Sequence, residues 1–239
     1  MKIIKDWRRK IYQIRRGIEK NFEKSIVKHP SYSQDGEDRI LYFYFASKGR
    51  FIREGFFVDV GAFHPSRFSN TKLFYDHGWR GINIDATPGT MKPFLKTRTK
   101  DINLEIAIGG DGEESDFYMF KRPGLNGFLS QTFVETNYKK EQLLNVIKIK
   151  SFPLSQVFDE YLSNGQSIDF ISIDVEGKEL DVLKTNDWQK YRPEVILVET
   201  HYLDLEFPQN NPVCAFLKTL DYRLFAKTNM TAFFHTLTK

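Results

Sequence analysis

The sequence contains little of two features that would place a protein outside the cytoplasm, namely cysteine and long apolar runs. Cys214 is the only cysteine among 239 residues, so an internal disulfide cannot form. No apolar run near Met1 resembles a secretory signal or a membrane span. Because 41% of the residues are hydrophobic and 15% are aromatic, the chain can still bury a sizeable core. We therefore expect a cytoplasmic protein with one large α/β domain and appendages.

The main part of the chain also lacks an excess of positive charge, although the whole chain has a net charge of +4. Residues 1–28 hold ten Lys or Arg against three acidic residues, a net charge of +7, so the remainder is about −3. A nucleic-acid groove requires Lys and Arg spread along the domain, with aromatic residues between them. We therefore expect no nucleic-acid partner.

Residues 1–30 are predicted to form a basic amphipathic helix, separate from a main domain that spans residues 31–239. Five apolar side chains recur at the spacing of one helix face: Ile4, Trp7, Ile11, Ile14 and Ile18. This stripe can pack on the domain or on a second subunit, as a dimer contact. It can also lie on an anionic membrane surface, which would make the protein peripheral to the inner face of the membrane. The helix is expected to end at His29, because the residue before Pro30 resists helical angles.

From Ser31 onward the chain alternates strand-like and helix-like stretches, which predicts a parallel sheet covered by helices on both faces. Short runs rich in Val, Ile or Phe predict strands at residues 56–60, 81–85, 103–108, 168–174 and 194–199. Helices are predicted at residues 36–47, 70–77, 155–161, 177–184 and 213–220, and a closing hairpin at 222–227 and 232–237. The stretch 111–145 fits this alternation least, and it is either a substrate-facing loop or a surface excursion.

Acidic residues follow several of the predicted strands, at the edge where an open α/β sheet binds nucleotide-derived cofactors. The first strand leads into Asp59-Val60-Gly61-Ala62, and Phe63 and Ser66 occupy the later positions of a Gly-x-Gly-x-x-Gly pattern. A phosphate-binding loop is therefore disfavoured. Asp85 ends the second strand 26 residues after Asp59, roughly where a ribose-binding acid belongs.

The fourth and fifth predicted strands are followed by more titratable side chains. Asp174 and Glu176 follow the fourth strand, and Glu199 and His201 end the fifth. Carboxylates so close to an apolar strand need a cation, hydrogen-bond donors or water. Asp174 can alternatively be a cap of the following helix. Because the tips of parallel strands meet at one edge, we expect these side chains to converge.

Five stretches resemble the FkbM family of methyltransferases, in the same order, between Ser31 and about Leu205. They are Ser33-Gln34-Asp35-Gly36-Glu37-Asp38, Phe57-Val58-Asp59-Val60-Gly61-Ala62, Ser69-Asn70-Thr71, residues 78–88 and residues 173–179. The resemblance implies a class I methyltransferase fold, a Rossmann-like three-layer sandwich whose seven-stranded, mostly parallel sheet has one antiparallel strand. It also implies S-adenosylmethionine as the cofactor.

The resemblance further implies how the cofactor is held. Asp59 and Gly61 would line its methionine part, Asp85 would hold the ribose hydroxyls, and Ala107 or Ile108 would meet the adenine. Residues 33–38 would fold over the site, which is compatible with a helix cap by Ser33 or Asp35. The implied cofactor set is Gln34, Asp35, Glu37, Asp59, Gly61, Ala62, Asn70, Asp85, Ala107 and Asp174.

Methyl transfer to a neutral hydroxyl requires positioning and removal of the acceptor proton, since the sulfonium is already activated. His201 is the first candidate for the general base, because it follows the fifth strand near Asp174 and Glu176. Either carboxylate can instead be the base or orient it, and a purely structural His201 bonded to a carboxylate stays open. His64 is predicted to shape the cofactor loop.

A hard divalent cation such as Mg²⁺ is possible but not required, with Asp174, Glu199 and His201 as ligands and Glu176 nearby. Family members of known role mostly methylate hydroxyls of sugars or secondary metabolites. The predicted function is therefore O-methylation of a sugar in a polysaccharide or glycan. One alternative is a nicotinamide-dependent oxidoreductase on a similar sheet. Another is a catalytically silent domain that docks on a membrane or a biosynthetic complex.

Overall fold

The computed structural model describes residues 31–50, 54–110 and 112–236. All of these except Ser31 belong to one unit, Tyr32–Lys239. The basic helix predicted within residues 1–30 lies outside the described residues and stays a prediction. No helix in the described part of the chain is long and apolar enough to cross a membrane.

The described residues form ten strands and seven α-helices. The strands are β1 (Phe56–Val60), β2 (Arg80–Ile84), β3 (Ile102–Leu104), β4 (Ala107–Ile108), β5 (Glu114–Phe120), β6 (Leu143–Phe152), β7 (Phe170–Ile173), β8 (Val195–Glu199), β9 (Tyr222–Lys227) and β10 (Thr231–Thr236). The helices are α1 (Glu37–Ser47), α2 (Lys72–Asp76), α3 (Met91–Thr97), α4 (Gln131–Asn137), α5 (Leu154–Tyr161), α6 (Glu179–Lys184) and α7 (Pro212–Thr219).

The main sheet has seven strands in the order β3-β2-β1-β7-β8-β10-β9. Neighbours from β3 to β8 are parallel, whereas β10 runs antiparallel to both β8 and β9. The order of strands along the chain reverses beside β1, which pairs with β2 on one side and β7 on the other. This is the class I methyltransferase fold with a single antiparallel strand, as predicted. Its switch point is where an open α/β sheet binds ligands.

Strand alternation gives the two faces of the main sheet different interiors. On one face, Val58 and Val60 belong to an aliphatic core that also includes buried residues of α5, α6 and α7. On the other face, Phe57 belongs to an aromatic cluster with Phe45 of α1 and Phe74 of α2. Helices therefore cover both faces of the sheet, and the apolar side chains on each face are buried against a helical layer.

The predicted strand at residues 103–108 is wrong as a single element. The chain leaves the main sheet after β3, and β4 pairs with β6 instead, through Ala107 opposite Ser151 and Ile108 opposite Phe152. The run Asn103-Leu104-Glu105-Ile106-Ala107-Ile108 shows no break in apolar pattern, because the break is imposed by tertiary pairing.

The stretch 111–145 also contains regular structure that the sequence did not predict. β5 pairs antiparallel with β6, and together with β4 they form a second, three-stranded sheet. Between β5 and β6 lie a 3₁₀ turn at Pro123–Leu125 and the helix α4. β6 is largely exposed and therefore lacks the apolar run that marked the strands of the main sheet.

Candidate functional site

A cavity of about 880 Å³ opens where β1, β2, β7 and β8 end. Residues that directly follow three of these strands, Gly61, Asp85 and Asp174, contribute to its wall. The wall also includes Gln34 and Glu37, the loop after β1, residues 106–108, the start of β10 and parts of the stretch 111–145, which we call the insertion. Ligand pockets commonly measure about 300–1,000 Å³. This cavity is therefore large enough for a cofactor together with an acceptor.

Most residues predicted to form the site line this one cavity. They are Gln34, Glu37, Gly61, Asn70, Asp85, Ala107, Asp174, Glu176, Glu199 and His201. Three predicted cofactor residues, Asp35, Asp59 and Ala62, do not line it.

Asp59 belongs to a buried polar network outside the cavity wall. Thr71 Oγ1 donates a hydrogen bond to Asp59 Oδ2 at 3.2 Å, and Arg98 Nη2 donates to Thr71 Oγ1 at 3.0 Å. Arg98 Nη1 also pairs with Asp101 Oδ2 at 3.4 Å. Burial raises the pKa of Asp59 to about 6, and the positive charge of Arg98 opposes the shift. We call Asp59, Thr71, Arg98 and Asp101 the Arg98 network. The contact of Asp59 with the cofactor that the resemblance implies stays a prediction.

The segment around Glu37 is tied to the end of the sheet by the buried carboxylate of that residue. Glu37 Oε1 accepts a hydrogen bond from Thr228 Oγ1 at 2.7 Å, and its Oε2 accepts one from the backbone N–H of Asp35 at 2.8 Å. Asp35 does not line the cavity, and its implied contact with the cofactor stays a prediction. Ser33 Oγ accepts the N–H of Asp38 in the first turn of α1 at 3.2 Å.

The turn after β1 is shaped by close packing against the end of β7. Gly61 has φ +87°, and a Cβ at this position would overlap the carbonyl oxygen of Asp174. Only glycine fits here, and the neighbouring backbone is the reason. Ala62 donates its N–H to Ile84 O at 3.0 Å, and its side chain is buried with Phe94 of α3. The side chain of Ala62 therefore packs against α3, and its implied contact with the cofactor stays a prediction.

The carboxylate of Asp85 holds two loops while facing the cavity. Asp85 Oδ2 accepts the N–H of Phe63 at 2.9 Å, and Oδ1 accepts the N–H of Thr87 at 2.8 Å. Burial raises the pKa of Asp85, and these two hydrogen bonds oppose the shift. His64 shapes the same loop, because its Nδ1 accepts two following backbone N–H groups at 3.1 Å each. Since a carboxylate has about four lone-pair sites, Asp85 can still accept hydrogen bonds from a ligand diol.

An apolar slot lies beside Asp85, between the start of the second sheet and its insertion. Ile106, Ala107 and Ile108 line one side, and Phe117 and Phe128 complete it. The two rings meet edge to face, with centroids 5.2 Å apart. Phe117 was not predicted, because nothing in the sequence shows that the insertion returns to this edge.

The insertion is fastened over the cavity by hydrogen bonds. Asn126 Nδ2 donates to Thr87 Oγ1 at 3.3 Å, while Asn126 Oδ1 accepts the N–H of Phe120 at 2.7 Å. Tyr118 and Gly127 exchange two backbone hydrogen bonds, at 2.9 and 3.2 Å. The segment that fitted the alternation least is therefore part of the cavity wall.

The strand-end acids are Asp174, Glu176, Glu179 and Glu199, which gather where β7 and β8 end. One oxygen each from Asp174, Glu179 and Glu199 lies within 4.8 Å of the others, and Glu176, Glu199 and His201 form a second such group. Glu179 was predicted only as part of a motif. Its Oε1 accepts the N–H groups of Val175 and Gly177 at 3.1 and 2.9 Å, so it shapes the loop that carries Asp174 and Glu176. Asp174 does not cap α6, whose first residue is Glu179.

Burial and mutual repulsion act on the pKa values of these acids. The pKa of Glu176 is raised to about 8 and that of Glu199 to about 7, mainly by burial and then by neighbouring carboxylates. The pKa of Asp174 is also raised, by burial and by Glu199, although its side chain reaches water through the cavity. Among the described residues, none of the four acids pairs with a Lys or Arg, and the nearest partner is His201.

A family model described as the methyltransferase FkbM domain matches residues 59–224. The match begins inside β1 and includes the ends of β2, β7 and β8, where the cavity lies. The chain belongs to the FkbM methyltransferase family. Its class of activity is S-adenosylmethionine-dependent methyl transfer. The family match therefore does not support the alternative of a nicotinamide-dependent oxidoreductase.

Solved structures similar to this FkbM methyltransferase include three with low sequence identity. The fibrillarin pre-rRNA processing protein of Methanococcus jannaschii has 12% identity and a TM-score of 0.42, covering 78% of this chain and 68% of its own. The precorrin-6y C5,15-methyltransferase of Geobacter metallireducens has 11% identity and a TM-score of 0.38, covering 80% and 86%. An SAH-bound methyltransferase of Podospora anserina has 8% identity and a TM-score of 0.40, covering 92% and 88%. No curated protein matches the chain.

The residues of this FkbM methyltransferase fit the cofactor of its class. The Asp85 carboxylate has free lone pairs for ribose hydroxyls, and the slot of Ala107, Phe117 and Phe128 suits a flat apolar base. Gln34 and Asn70 also line the cavity and can supply polar groups for an amino acid part. When bound, S-adenosylmethionine supplies an activated methyl group.

Proposed function

We propose that this FkbM methyltransferase transfers a methyl group to a hydroxyl of a sugar in a polysaccharide or glycan. The observation that carries the proposal is the pair of His201 and Glu199 in the cavity wall. His201 Nε2 lies 3.3 Å from Glu199 Oε2, and the His201 side chain is 44% exposed. A histidine that reaches solvent beside a buried carboxylate is suited to take a proton from an acceptor.

Proton removal by His201 is the chemistry that a hydroxyl acceptor requires. The imidazole would accept the hydroxyl proton, and the negative charge of Glu199 would stabilise the imidazolium that forms. Asp174 and Glu176 line the same end of the cavity and would hold the acceptor or share the proton. The remaining contribution of the chain is to align the acceptor with the methyl group, which in favourable systems lowers a barrier by roughly 7–11 kcal/mol.

Two features of the cavity support a sugar acceptor. Phe63 and Phe68 both line it, with stacked rings whose centroids are 6.2 Å apart, and Phe68 is 60% exposed. Such faces pack well against the apolar side of a sugar ring. Acidic residues outnumber basic ones among the lining residues, which favours a neutral acceptor over the phosphate backbone of a nucleic acid. We place the reaction in the cytoplasm, on a soluble or membrane-linked precursor.

The proposal is tested by offering purified protein S-adenosylmethionine together with separate acceptors. These are neutral oligosaccharides, uronic acid and amino sugar oligosaccharides, and RNA. Mass spectrometry and methylation analysis of the products would show a methyl ether on a sugar hydroxyl. Methylation of RNA or of an amine would overturn the proposal. Cofactor binding without turnover of any acceptor would overturn it too, in favour of a catalytically silent docking domain.

A further inference from the structure

The strand-end acids include more carboxyl groups than a proton acceptor needs. Asp174, Glu179 and Glu199 each place a carboxylate oxygen within 4.8 Å of the other two. Lys178 lines the cavity beside them, yet its Nζ pairs with Asp181 at 3.2 Å instead. In the described part of the chain, no Lys or Arg neutralises this triad.

Glu199 provides a second, independent observation at the same place. Its side chain is only 9% exposed, and its Oε2 is shielded from solvent without receiving a hydrogen bond. The ring of His201 lies 3.3 Å away, but not in hydrogen-bond geometry. Buried carboxylates are normally paired or coordinate a metal. Oε2 of Glu199 is therefore a buried acceptor atom without a donor, and the carboxyl groups of Asp174 and Glu179 lie close to Glu199.

Glu179 makes the triad a preorganised set of ligands. Its Oε1 is fixed by the N–H groups of Val175 and Gly177, so Oε2 takes no part in these two hydrogen bonds and is available as a ligand. Hydrogen bonds of this kind orient a ligating carboxylate. The neighbouring group of Glu176, Glu199 and His201 shares Glu199 but includes a half-exposed imidazole. An all-oxygen set fits hard cations better than that mixed set.

We propose that Asp174, Glu179 and Glu199 bind one divalent cation, Mg²⁺ or Mn²⁺. This ligand set differs from the one predicted from sequence, because Glu179 replaces His201, which is left free to take a proton. A cation held by three carboxylates keeps open positions, where water or two neighbouring acceptor hydroxyls can bind. Only this contact with the acceptor rests on the proposed function. The cation site itself does not depend on which acceptor is methylated.

The test is a titration of chelator-treated, full-length protein with Mn²⁺, followed by electron paramagnetic resonance and calorimetry, without cofactor or acceptor. We expect one Mn²⁺ per chain and displacement by excess Mg²⁺. Glu179→Gln should weaken Mn²⁺ binding by about tenfold or more. The amide oxygen of this variant can still accept both backbone hydrogen bonds, so the loop should stay folded. Glu206→Gln is the matched control, because Glu206 is exposed in the loop after β8 and lies outside the cavity wall.

Several results would overturn the cation site. They include no saturable Mn²⁺ uptake at millimolar concentration, and equal affinity in Glu179→Gln and Glu206→Gln. Loss of binding in His201→Ala but not in Glu179→Gln would overturn the choice of ligands. If Glu179→Gln melts early in chelator, Asp174→Asn is the second variant, with the same expected weakening. Mn²⁺ binding by a protein that methylates no sugar would support the site while the proposed acceptor fails.

Discussion

Two groups of acids lie next to the strands of the main sheet, and they differ in what neutralises them. In the Arg98 network, a guanidinium that is 1% exposed faces Asp59 and Asp101. The strand-end acids have no such partner among the described residues. The comparison separates acids whose positive partner is supplied by the chain from acids that have no Lys or Arg partner among the described residues.

The largest expected effect comes from removing the cation of the first group. Arg98→Met should lower the free energy of unfolding by about 3–5 kcal/mol, because it leaves Asp59 and Asp101 buried without a positive partner. Denaturant unfolding followed by circular dichroism would measure it. The control is Lys100→Met, an exposed residue close in sequence. A loss below about 1 kcal/mol would mean that Arg98 does not stabilise these acids.

The second effect concerns catalysis at the strand-end acids. His201→Ala should lower turnover by roughly 10²-fold, the scale of a general base, and leave cofactor affinity nearly unchanged. Turnover is measured by mass spectrometry and affinity by calorimetry with S-adenosylhomocysteine. Glu206→Gln should retain full turnover. If His201→Ala turns over at the normal rate, the histidine is a structural partner of Glu199.

A smaller effect is the pH dependence of stability caused by Asp59. Its pKa is about 6 in the folded protein against an ordinary value of 3.8, so the folded state binds more protons between these values. Stability should therefore fall as pH rises from about 4 to 6, by at most about 1.4 kcal/mol per pH unit from this group. Asp59→Asn should remove that contribution. If the free energies of unfolding of Asp59→Asn and the wild type change in parallel with pH across this range, the assignment is contradicted.

The smallest effect lies away from both groups of acids. Phe128→Ala should weaken S-adenosylhomocysteine binding by about tenfold, which is the scale of losing one aromatic face against a base. Phe133→Ala is the matched control, because Phe133 lies on α4 of the same insertion but outside the cavity wall. Equal affinities in the two variants would mean that the slot of Phe117 and Phe128 does not hold the base.

The sequence predicted the main sheet well because β1, β2, β7 and β8 are buried on both faces. Their apolar runs are therefore continuous and end in visible acids. Alternation in a doubly covered strand does not reveal which side faces a ligand, so the sequence pattern alone could not place Asp59 on the cavity side or on the other side of β1. β6 was missed because it is largely exposed.

The site residues that sequence reasoning missed are brought in by folding over long distances. Phe117 lies on an insertion whose return to the cavity depends on Asn126 and Thr87, far apart in the chain. Glu179 sits in the first turn of a helix, where an acid has an ordinary explanation in the helix dipole. Only the fold shows that its carboxylate turns back beneath the loop of Asp174 and Glu176.

The close contact between Gly61 and the carbonyl of Asp174 couples the positions of two parts of the cavity wall, the turn after β1 and the loop after β7. A side chain at residue 61 would overlap the backbone between the ends of β1 and β7. It would therefore displace the turn after β1 together with the strand-end acids. The turn after β1 and the loop after β7 therefore cannot be adjusted separately at this point.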